Sequence, residues 1–263
     1  MPLSHLLRFY SGSGKPTLLS RSEKGEVAGI ELSIGKFEDV NFGSHLACIG
    51  YKTPKGYLPC PNSAIHTRQC PTCSARDVAR AYTVGDFTGY PELYKEAKKV
   101  EYCLYLAQFG AEITKCGVTR KERFEERMLE QGADFGCVVA IFTGPDEIYS
   151  AEAAVQSRFM FANSVRLAQK MRLLSFDKGE ARTALSSAVD MVKTSGVLPD
   201  FTPEIIDFSP HYPHVHRVQQ TYSILGEILG AKGEILLFKS EAGRHFAVNM
   251  RHQVGSFFER VEK

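Results

Sequence analysis

Residues 101–118, EYCLYLAQFGAEITKCGV, decide how the centre of the chain folds. Within this stretch Glu101–Gln108 is dense in apolar and aromatic residues, Gly110 favours a turn, and Ile113–Val118 is a second run suited to a strand. Two such runs joined by a short turn that contains glycine are typical of a β-hairpin. The stretch therefore predicts a pair of antiparallel strands.

A helix, a strand and a second helix are predicted directly after the hairpin. Thr119 and Glu122 have the spacing of a capping box, the residues that follow are mostly helix formers, and Gly132 is placed to end the helix. Phe135–Phe142 is apolar enough for a buried strand, and residues 147–174 have a long helical pattern. The predicted order of elements is β, β, α, β, α.

The segments on either side of this core are predicted to contribute further strands. Ile30, Leu32 and Ile34 alternate with polar or small residues, as in a strand. Beyond position 176 the pattern favours one helix and two short strands, at Gly179–Lys193, Glu234–Phe238 and His245–Asn249. Neither β fragment has enough strands to be stable alone, so we expect the two to pair.

The fold class predicted from these elements is α+β. The chain divides by composition and pattern into four segments: an N-terminal β region (1–47), a cysteine-rich segment (48–99), the ββαβα core (100–176) and a C-terminal α+β region (177–263).

The charge of the chain is concentrated in one segment. The net charge of the 263 residues is only +2, which excludes a histone-like polycation. Residues 48–99, however, hold eight Lys or Arg against four Asp or Glu, a surplus of +4. A local surplus of this kind is typical of a surface that contacts nucleic-acid phosphates. The residues expected to make these contacts are Lys52, Lys55, Arg68, Arg76 and Arg80.

The sequence also predicts where the protein works. It contains no run of about 18 apolar residues that could cross a bilayer, and Arg8 interrupts the apolar stretch near the N-terminus. Seven cysteines, an odd number, without an export signal indicate a reducing compartment. We therefore expect a cytoplasmic protein without a membrane partner, and the sequence leaves its oligomeric state open.

Four of the cysteines lie in the cysteine-rich segment. Cys70 and Cys73 form a C-x-x-C, the spacing that lets two thiolates on one tight turn bind a single tetrahedral ion. Cys48 and Cys60 both lie near turn residues and are the nearest thiols that could complete the site, although His66 competes for one position. Because the segment has too few periodic apolar residues for a core of its own, we predict a structural zinc ion on the four cysteines.

The predicted hairpin and the elements after it resemble a GIY-YIG nuclease domain over about residues 100–170. The triplets Cys103-Leu104-Tyr105 and Lys115-Cys116-Gly117, one on each strand, are similar in place and spacing to the GIY and YIG elements, and Val118-Thr119-Arg120 follows the second. With its cysteines upstream, the chain also resembles an uncharacterised prokaryotic family that joins a zinc-binding region to such a domain.

The resemblance implies a phosphodiesterase site and names its residues. They are Tyr105 and Lys115 on the hairpin, Arg127 for phosphate binding with Arg123 as the alternative, Glu152 for a Mg²⁺ or Mn²⁺ ion, and Asn163 on the same predicted helix as Glu152.

The same residues have a chemical interpretation that is independent of the resemblance. Cleavage of a phosphodiester needs a base, a cation for the phosphate oxygens and a metal ion for the leaving oxygen. Tyr105 and Lys115 could meet across the hairpin, where an ammonium group would stabilise an ionised phenol. Glu152 projects toward the apolar side of its predicted helix, where a carboxylate is costly unless a metal ion or a cation such as Arg127 or Arg166 pairs with it.

Two functions fit these patterns. The first is a metal-dependent nuclease that acts on DNA or RNA and uses the zinc segment as a structural and binding element. The second is a nucleic-acid-binding or scaffold protein whose GIY-YIG-like domain is inactive. A further cluster of histidines is interpreted as an exposed loop rather than a metal site, because prolines surround it: His211, His214 and His216.

Overall fold

The structure is a computed structural model that describes residues 3–12 and 14–261. Its strands are β1 (Ser4–Tyr10), β2 (Thr17–Arg21), β3 (Val27–Glu31), β4 (Phe37–Leu46), β5 (Tyr51–Thr53), β6 (Gly56–Leu58), β7 (Glu101–Phe109), β8 (Ile113–Arg120), β9 (Phe135–Thr143), β10 (Ile205–Asp207), β11 (Gln219–Thr221), β12 (Ile224–Lys232), β13 (Ile235–Lys239), β14 (His245–Asn249) and β15 (Ser256–Arg260). Its α-helices are α1 (Pro71–Arg76), α2 (Ala79–Val84), α3 (Pro91–Ala97), α4 (Phe124–Gln131), α5 (Asp146–Phe159), α6 (Leu167–Arg172), α7 (Lys178–Thr194) and α8 (Met250–Gln253). The predicted α+β class is confirmed.

Contacts divide the chain into two compact units. Unit 1 comprises residues 1–86 and 217–263, and unit 2 comprises residues 87–216. The four segments expected from composition are grouped differently, because α3 and α7 belong to unit 2 whereas the last strands belong to unit 1. Contacts between residues far apart in the chain decide the units, and local composition does not reveal such contacts.

Unit 1 is built on a nine-stranded sheet in the order β11-β14-β13-β12-β4-β15-β1-β2-β3. β4 pairs antiparallel with β12 and with β15, and β15 also pairs with β1, so the expected pairing of the N-terminal and C-terminal strands is present. The core of the sheet is apolar and fully buried, and includes Leu6, Leu18, Val40, Ile228, Leu236 and Phe258. β3 ends before Leu32, and Ile34 is 58% exposed, so the alternating run continues beyond the strand.

Unit 2 is built on a four-stranded antiparallel sheet in the order β10-β9-β7-β8. Alternate residues of β7, among them Tyr105 and Phe109, pack in one buried cluster with Phe124 and Met128 of α4. The remaining residues of β7, such as Leu104, are buried on the opposite face of the sheet. Helix α7 contacts β7, β8 and β9. Helices therefore cover both faces of the hairpin.

Two local predictions in unit 2 are wrong. Thr119 does not cap a helix, because it lies in β8 opposite Cys103, and α4 begins only at Phe124. The long helix predicted over 147–174 is interrupted at Met160, which adopts a left-handed conformation with a φ of 55°. The residues after Met160 leave the helix because Ala162 pairs with β8: its N–H donates to the Thr114 carbonyl at 3.0 Å.

Candidate functional sites

The four cysteines predicted to bind zinc form one buried cluster in unit 1, which we call the cysteine cluster. The Sγ atoms of Cys48, Cys60, Cys70 and Cys73 all lie within 4.8 Å of one another. The Sγ atoms of Cys60 and Cys70 are 3.8 Å apart, which matches the separation of about 3.8 Å between two thiolates bound tetrahedrally at about 2.3 Å from one ion. The competing ligand, His66, is exposed. The cluster has the ligand number, ligand type and spacing of a tetrahedral metal site.

Local backbone geometry prepares Cys48 as a ligand. The backbone N–H groups of Cys70 and Gly50 donate to its Sγ at 3.2 and 3.5 Å, and such donors favour a thiolate. Gly50 has a φ of 91°, and a Cβ at this position would collide with the carbonyl oxygen of Leu58. Glycine is therefore required where the chain turns between Cys48 and β5.

The thiols of the cysteine cluster differ in their affinity for protons. Burial raises the pKa of the Cys48 and Cys73 thiols. At Cys60 burial acts in the same direction, but the backbone N–H groups of Ala64 and Asn62 contribute to lowering its pKa to about 6. Four thiols at this distance cannot all ionise unless a cation lies among them, because like charges repel one another. The donor set is therefore suited to a divalent ion bound by four thiolates.

Tyr57 lies near the cysteine cluster, and Arg21 lies near Tyr57. Arg21 Nη2 and Tyr57 Oη are both buried, and neither atom makes a hydrogen bond of good geometry to any described residue. Burial raises the pKa of Tyr57 to about 12, and the charges of Arg21, Cys48 and Cys73 are close enough to affect it. Four thiolates around one divalent ion carry a net charge of about −2. A guanidinium group beside Tyr57, partly buried, is suited to offset part of that charge.

In unit 2, Tyr105 and Lys115 lie together across the β7–β8 hairpin. Lys115 Nζ is 3.4 Å from Tyr105 Oη and 5.2 Å from the centre of the ring. Gln131 of α4 donates from Nε2 to the same hydroxyl at 2.8 Å. Two donors from different elements therefore fix the position of this phenol oxygen. Tyr105 is only 1% exposed, whereas Lys115 is half-buried.

Gly117 makes room for this pair. It lies directly opposite Tyr105 in the register of β7 and β8. A Cβ at position 117 would lie 2.5 Å from Tyr105 Oη and 2.6 Å from Lys115 Nζ, closer than real Cβ atoms come. The last position of the second triplet must therefore be glycine if the two side chains are to keep this arrangement.

Glu152 of α5 is half-buried near the same lysine. Burial raises the pKa of the Glu152 carboxyl, and the Lys115 ammonium acts in the opposite direction. Gln156, one turn along α5, donates to its carboxylate at 3.2 Å. Tyr105, Lys115, Gln131 and Glu152 thus form one group, which we call the hairpin cluster. It contains a proton-transfer group, a cation and an acidic oxygen ligand.

The other residues expected in this site are more peripheral. Arg127 Nη1 lies 3.2 Å from Glu130, and Arg123 Nη2 lies 3.0 Å from Glu130, so both candidate phosphate ligands are ion-paired to this residue of α4. Arg127 precedes Gln131 by four residues, which places it one helical turn from the hairpin cluster. Asn163 is exposed and lies after the end of α5 rather than on the same helix as Glu152.

Both clusters fall within one family match. The model of a family described as a protein of unknown function, DUF2797, matches residues 41–257. The chain belongs to this family. No curated protein and no solved structure matches the chain. The description of DUF2797 states no activity, so the function must be inferred from the two clusters and their surroundings.

The five basic residues expected to contact nucleic acid differ in whether their side chains are free in solvent or bound to the protein. Lys52, Lys55, Arg76 and Arg80 are exposed, and the Lys52 carbonyl accepts a hydrogen bond from the Val78 N–H at 3.0 Å, which brings β5 beside the end of α1. Arg68 is anchored instead: Nε and Nη2 donate to the carbonyls of Val254 and His252 at 3.0 and 2.8 Å. Arg68 therefore fastens the cysteine-rich segment to the chain between β14 and β15.

The structure adds residues that the sequence patterns did not single out. Gln131 lies at the helix end predicted from Gly132, but only the fold brings its amide to Tyr105. Arg21 is far from the cysteines in sequence, and only the tertiary fold brings it near Tyr57. The three histidines at positions 211, 214 and 216 are exposed. Among the described residues, no helix is long and apolar enough to cross a membrane.

Proposed function

We propose that this DUF2797 protein is a zinc-stabilised nucleic-acid-processing protein that cleaves phosphodiester bonds of DNA or RNA with a divalent ion, Mg²⁺ or Mn²⁺. The observation that carries the proposal is the hairpin cluster, in which Lys115 Nζ lies 3.4 Å from Tyr105 Oη with Glu152 close by. These are the groups that phosphodiester hydrolysis needs. The resemblance of the two triplets to GIY-YIG elements supports the same chemistry.

Each residue of the hairpin cluster has a role in this proposal. Tyr105 is the proton-transfer group, because Gln131 and Lys115 hold its hydroxyl in place beside Glu152. Lys115 also stabilises the phosphate oxygens, and Arg127 binds the phosphate after release from Glu130. Glu152 would hold the Mg²⁺ or Mn²⁺ ion, whose positive charge stabilises the leaving oxygen. Since Lys115 lies near the same carboxylate, we expect the ion to bind strongly only when substrate phosphate is present.

The proposed zinc ion has a structural role. Four thiolates fill a tetrahedral site and leave no position for water or substrate. The ion would hold the residues between β4 and α2 in a fixed shape, and this segment presents Lys52, Lys55, Arg76 and Arg80 to solvent. We therefore place nucleic-acid binding on the cysteine-rich segment and cleavage on the hairpin cluster.

A cleavage assay tests the proposal. Zinc-loaded protein is incubated with end-labelled DNA and RNA, single-stranded and duplex, with Mg²⁺, with Mn²⁺ and without an added ion. We expect cleavage that requires one of the two ions. Intact substrates under all conditions would contradict the proposal.

A second function, nucleic-acid binding without turnover, is favoured by the burial of Tyr105. Its side chain is 1% exposed and its hydroxyl already has two protein donors, as in a purely structural residue. Both functions need the basic residues. Changing Lys52, Arg76 and Arg80 to Gln should weaken binding and reduce the salt dependence by about one slope unit per lost contact. Changing the exposed Lys24 and Lys36 to Gln is the control, because both lie outside the cysteine-rich segment.

A further inference from the structure

Unit 1 contains a cleft beside β4 that is separate from the cysteine cluster. It encloses about 410 Å³ and is lined by Phe42, Leu46, Arg68, Tyr222 and His252, with small polar residues between them. β4 pairs with β12 only as far as Val40 and Ile224, and its later residues pair with β15. The chain before β12 turns away to pair with β14, which leaves Tyr222 at the corner beside Phe42.

Two aromatic rings form one part of the cleft. Phe42 is fixed by packing against Phe258, with ring centres 5.8 Å apart. Tyr222 is 70% exposed, which is a large apolar area for a tyrosine to leave in water. An exposed ring beside a fixed ring is suited to stacking against a planar ligand.

A fixed cation forms the other part. The two main-chain carbonyls that bind Arg68 hold its guanidinium in place, and its side chain lies over Gly255, where a Cβ would come within 3.2 Å of Arg68 Cγ. Two of the five guanidinium N–H groups are used in these bonds, so others can serve an anion. None of the described residues that line the cleft is Asp or Glu.

Unit 2 contains a cleft of similar size. The two clefts differ in the charge of their lining residues rather than in volume. The cleft of unit 2 encloses about 420 Å³ and is also apolar, with Phe124, Ile141 and Phe201 in its lining. Its charged residues, however, are Asp200 and Glu204. An anionic ligand would be repelled there and attracted to the cleft of unit 1.

We propose that the cleft of unit 1 binds single-stranded nucleic acid, with an unpaired base stacked on Tyr222 and its phosphate on Arg68. Stacking rings beside a positively charged group are the elements that recognise single strands without regard to sequence. Arg68 itself lies in the cysteine-rich segment, whose other basic residues would contact the same nucleic-acid strand. This inference rests on the proposed nucleic-acid function and restricts its substrate to one with an unpaired segment.

Binding measurements on Tyr222 variants test the inference. A fluorescent single-stranded oligodeoxythymidine and a duplex of equal length are titrated with zinc-loaded protein at low salt, and anisotropy gives the dissociation constants. Tyr222→Ala should weaken single-strand binding by about tenfold or more, because a stacked base contributes about 1–3 kcal/mol. Duplex binding should hardly change, since paired bases cannot stack on the ring. Tyr222→Phe keeps the ring and should behave as the wild type.

Leu225→Ala is the matched control, because Leu225 is 56% exposed and near in sequence but outside the lining of the cleft. Unchanged single-strand affinity in Tyr222→Ala would overturn the inference while leaving the proposed function in place. Equal losses on single strand and duplex would also overturn it. Failure of the wild type to bind these probes and their RNA counterparts would overturn both.

Discussion

The cysteine cluster and the hairpin cluster are both groups of titratable side chains in largely buried surroundings, but they differ in completeness. The cysteine cluster offers four equivalent ligands at tetrahedral spacing, with backbone N–H donors already directed at one sulfur. The hairpin cluster offers one carboxylate, and its ammonium group competes with a metal ion for that carboxylate. A complete set of four protein ligands suits an ion with a structural role. An incomplete set leaves coordination positions for water and substrate, as a catalytic ion needs.

The largest effect is expected when ligands of the cysteine cluster are removed. Cys70→Ser/Cys73→Ser removes half of the ligands, and a structural zinc ion contributes about 10–16 kcal/mol of apparent binding free energy to folding. We expect zinc content to fall from about one equivalent per chain to below about one half. Limited proteolysis should then cut first within residues 48–86. Metal analysis and mapping of the cleavage sites measure both effects.

Cys137→Ala is the control for this comparison, because Cys137 is a buried thiol of unit 2 that lies outside the cysteine cluster. It should retain the full zinc content. If the double cysteine variant also retained it, the cysteine cluster would not be the zinc site.

A smaller effect is expected from changes in the hairpin cluster, which should leave the fold intact. Tyr105→Phe keeps the ring and removes the hydroxyl, so the cleavage rate should fall by about 10²-fold or more while the melting temperature changes little. Tyr102→Phe is the matched control, since Tyr102 is equally buried on the opposite face of β7. Equal rates in the two variants would mean that the Tyr105 hydroxyl takes no part in proton transfer.

The smallest effect concerns Arg21, which is not a ligand but lies beside Tyr57, a neighbour of the cysteine cluster. Arg21→Met keeps much of the side-chain volume but removes the positive charge beside Tyr57, so zinc affinity should fall by about tenfold, as for other changes around metal ligands. Competition with a chromophoric chelator measures the affinity, and Arg21→Lys should restore part of it. Arg8→Met is the control, because Arg8 stacks on Tyr10. Equal affinities in Arg21→Met and Arg8→Met would contradict a role for Arg21.

The two clusters also differ in how far the sequence predicts them. The cysteine spacing identified all four members of the cysteine cluster, because a C-x-x-C and nearby turns constrain geometry locally. Strands β7, β8 and β9 and helix α7 follow from hydrophobic patterns in the same way. Gln131 and Arg21 could not be assigned roles, since each acts through a residue that only the tertiary structure brings near.

The wrong local predictions have the same origin. The helical pattern continues past Met160, yet the pairing of Ala162 with β8 takes the chain out of the helix. Thr119 has the residue type of a cap, but the ladder with Cys103 extends the strand through it. Ala162 is paired by β8 and Thr119 is paired by β7, and in both cases the partner lies outside the local helical pattern and overrides a local preference.

The most direct test of the central claim, that the hairpin cluster is a catalytic site separate from the cysteine cluster, is the cleavage rate of zinc-loaded Glu152→Gln as Mg²⁺ or Mn²⁺ is increased. Gln keeps the shape of the side chain and removes its charge. We predict that the wild-type rate rises with either ion, whereas the variant rate stays flat with full zinc content and near-normal nucleic-acid affinity. A variant rate that rises like that of the wild type would contradict the claim.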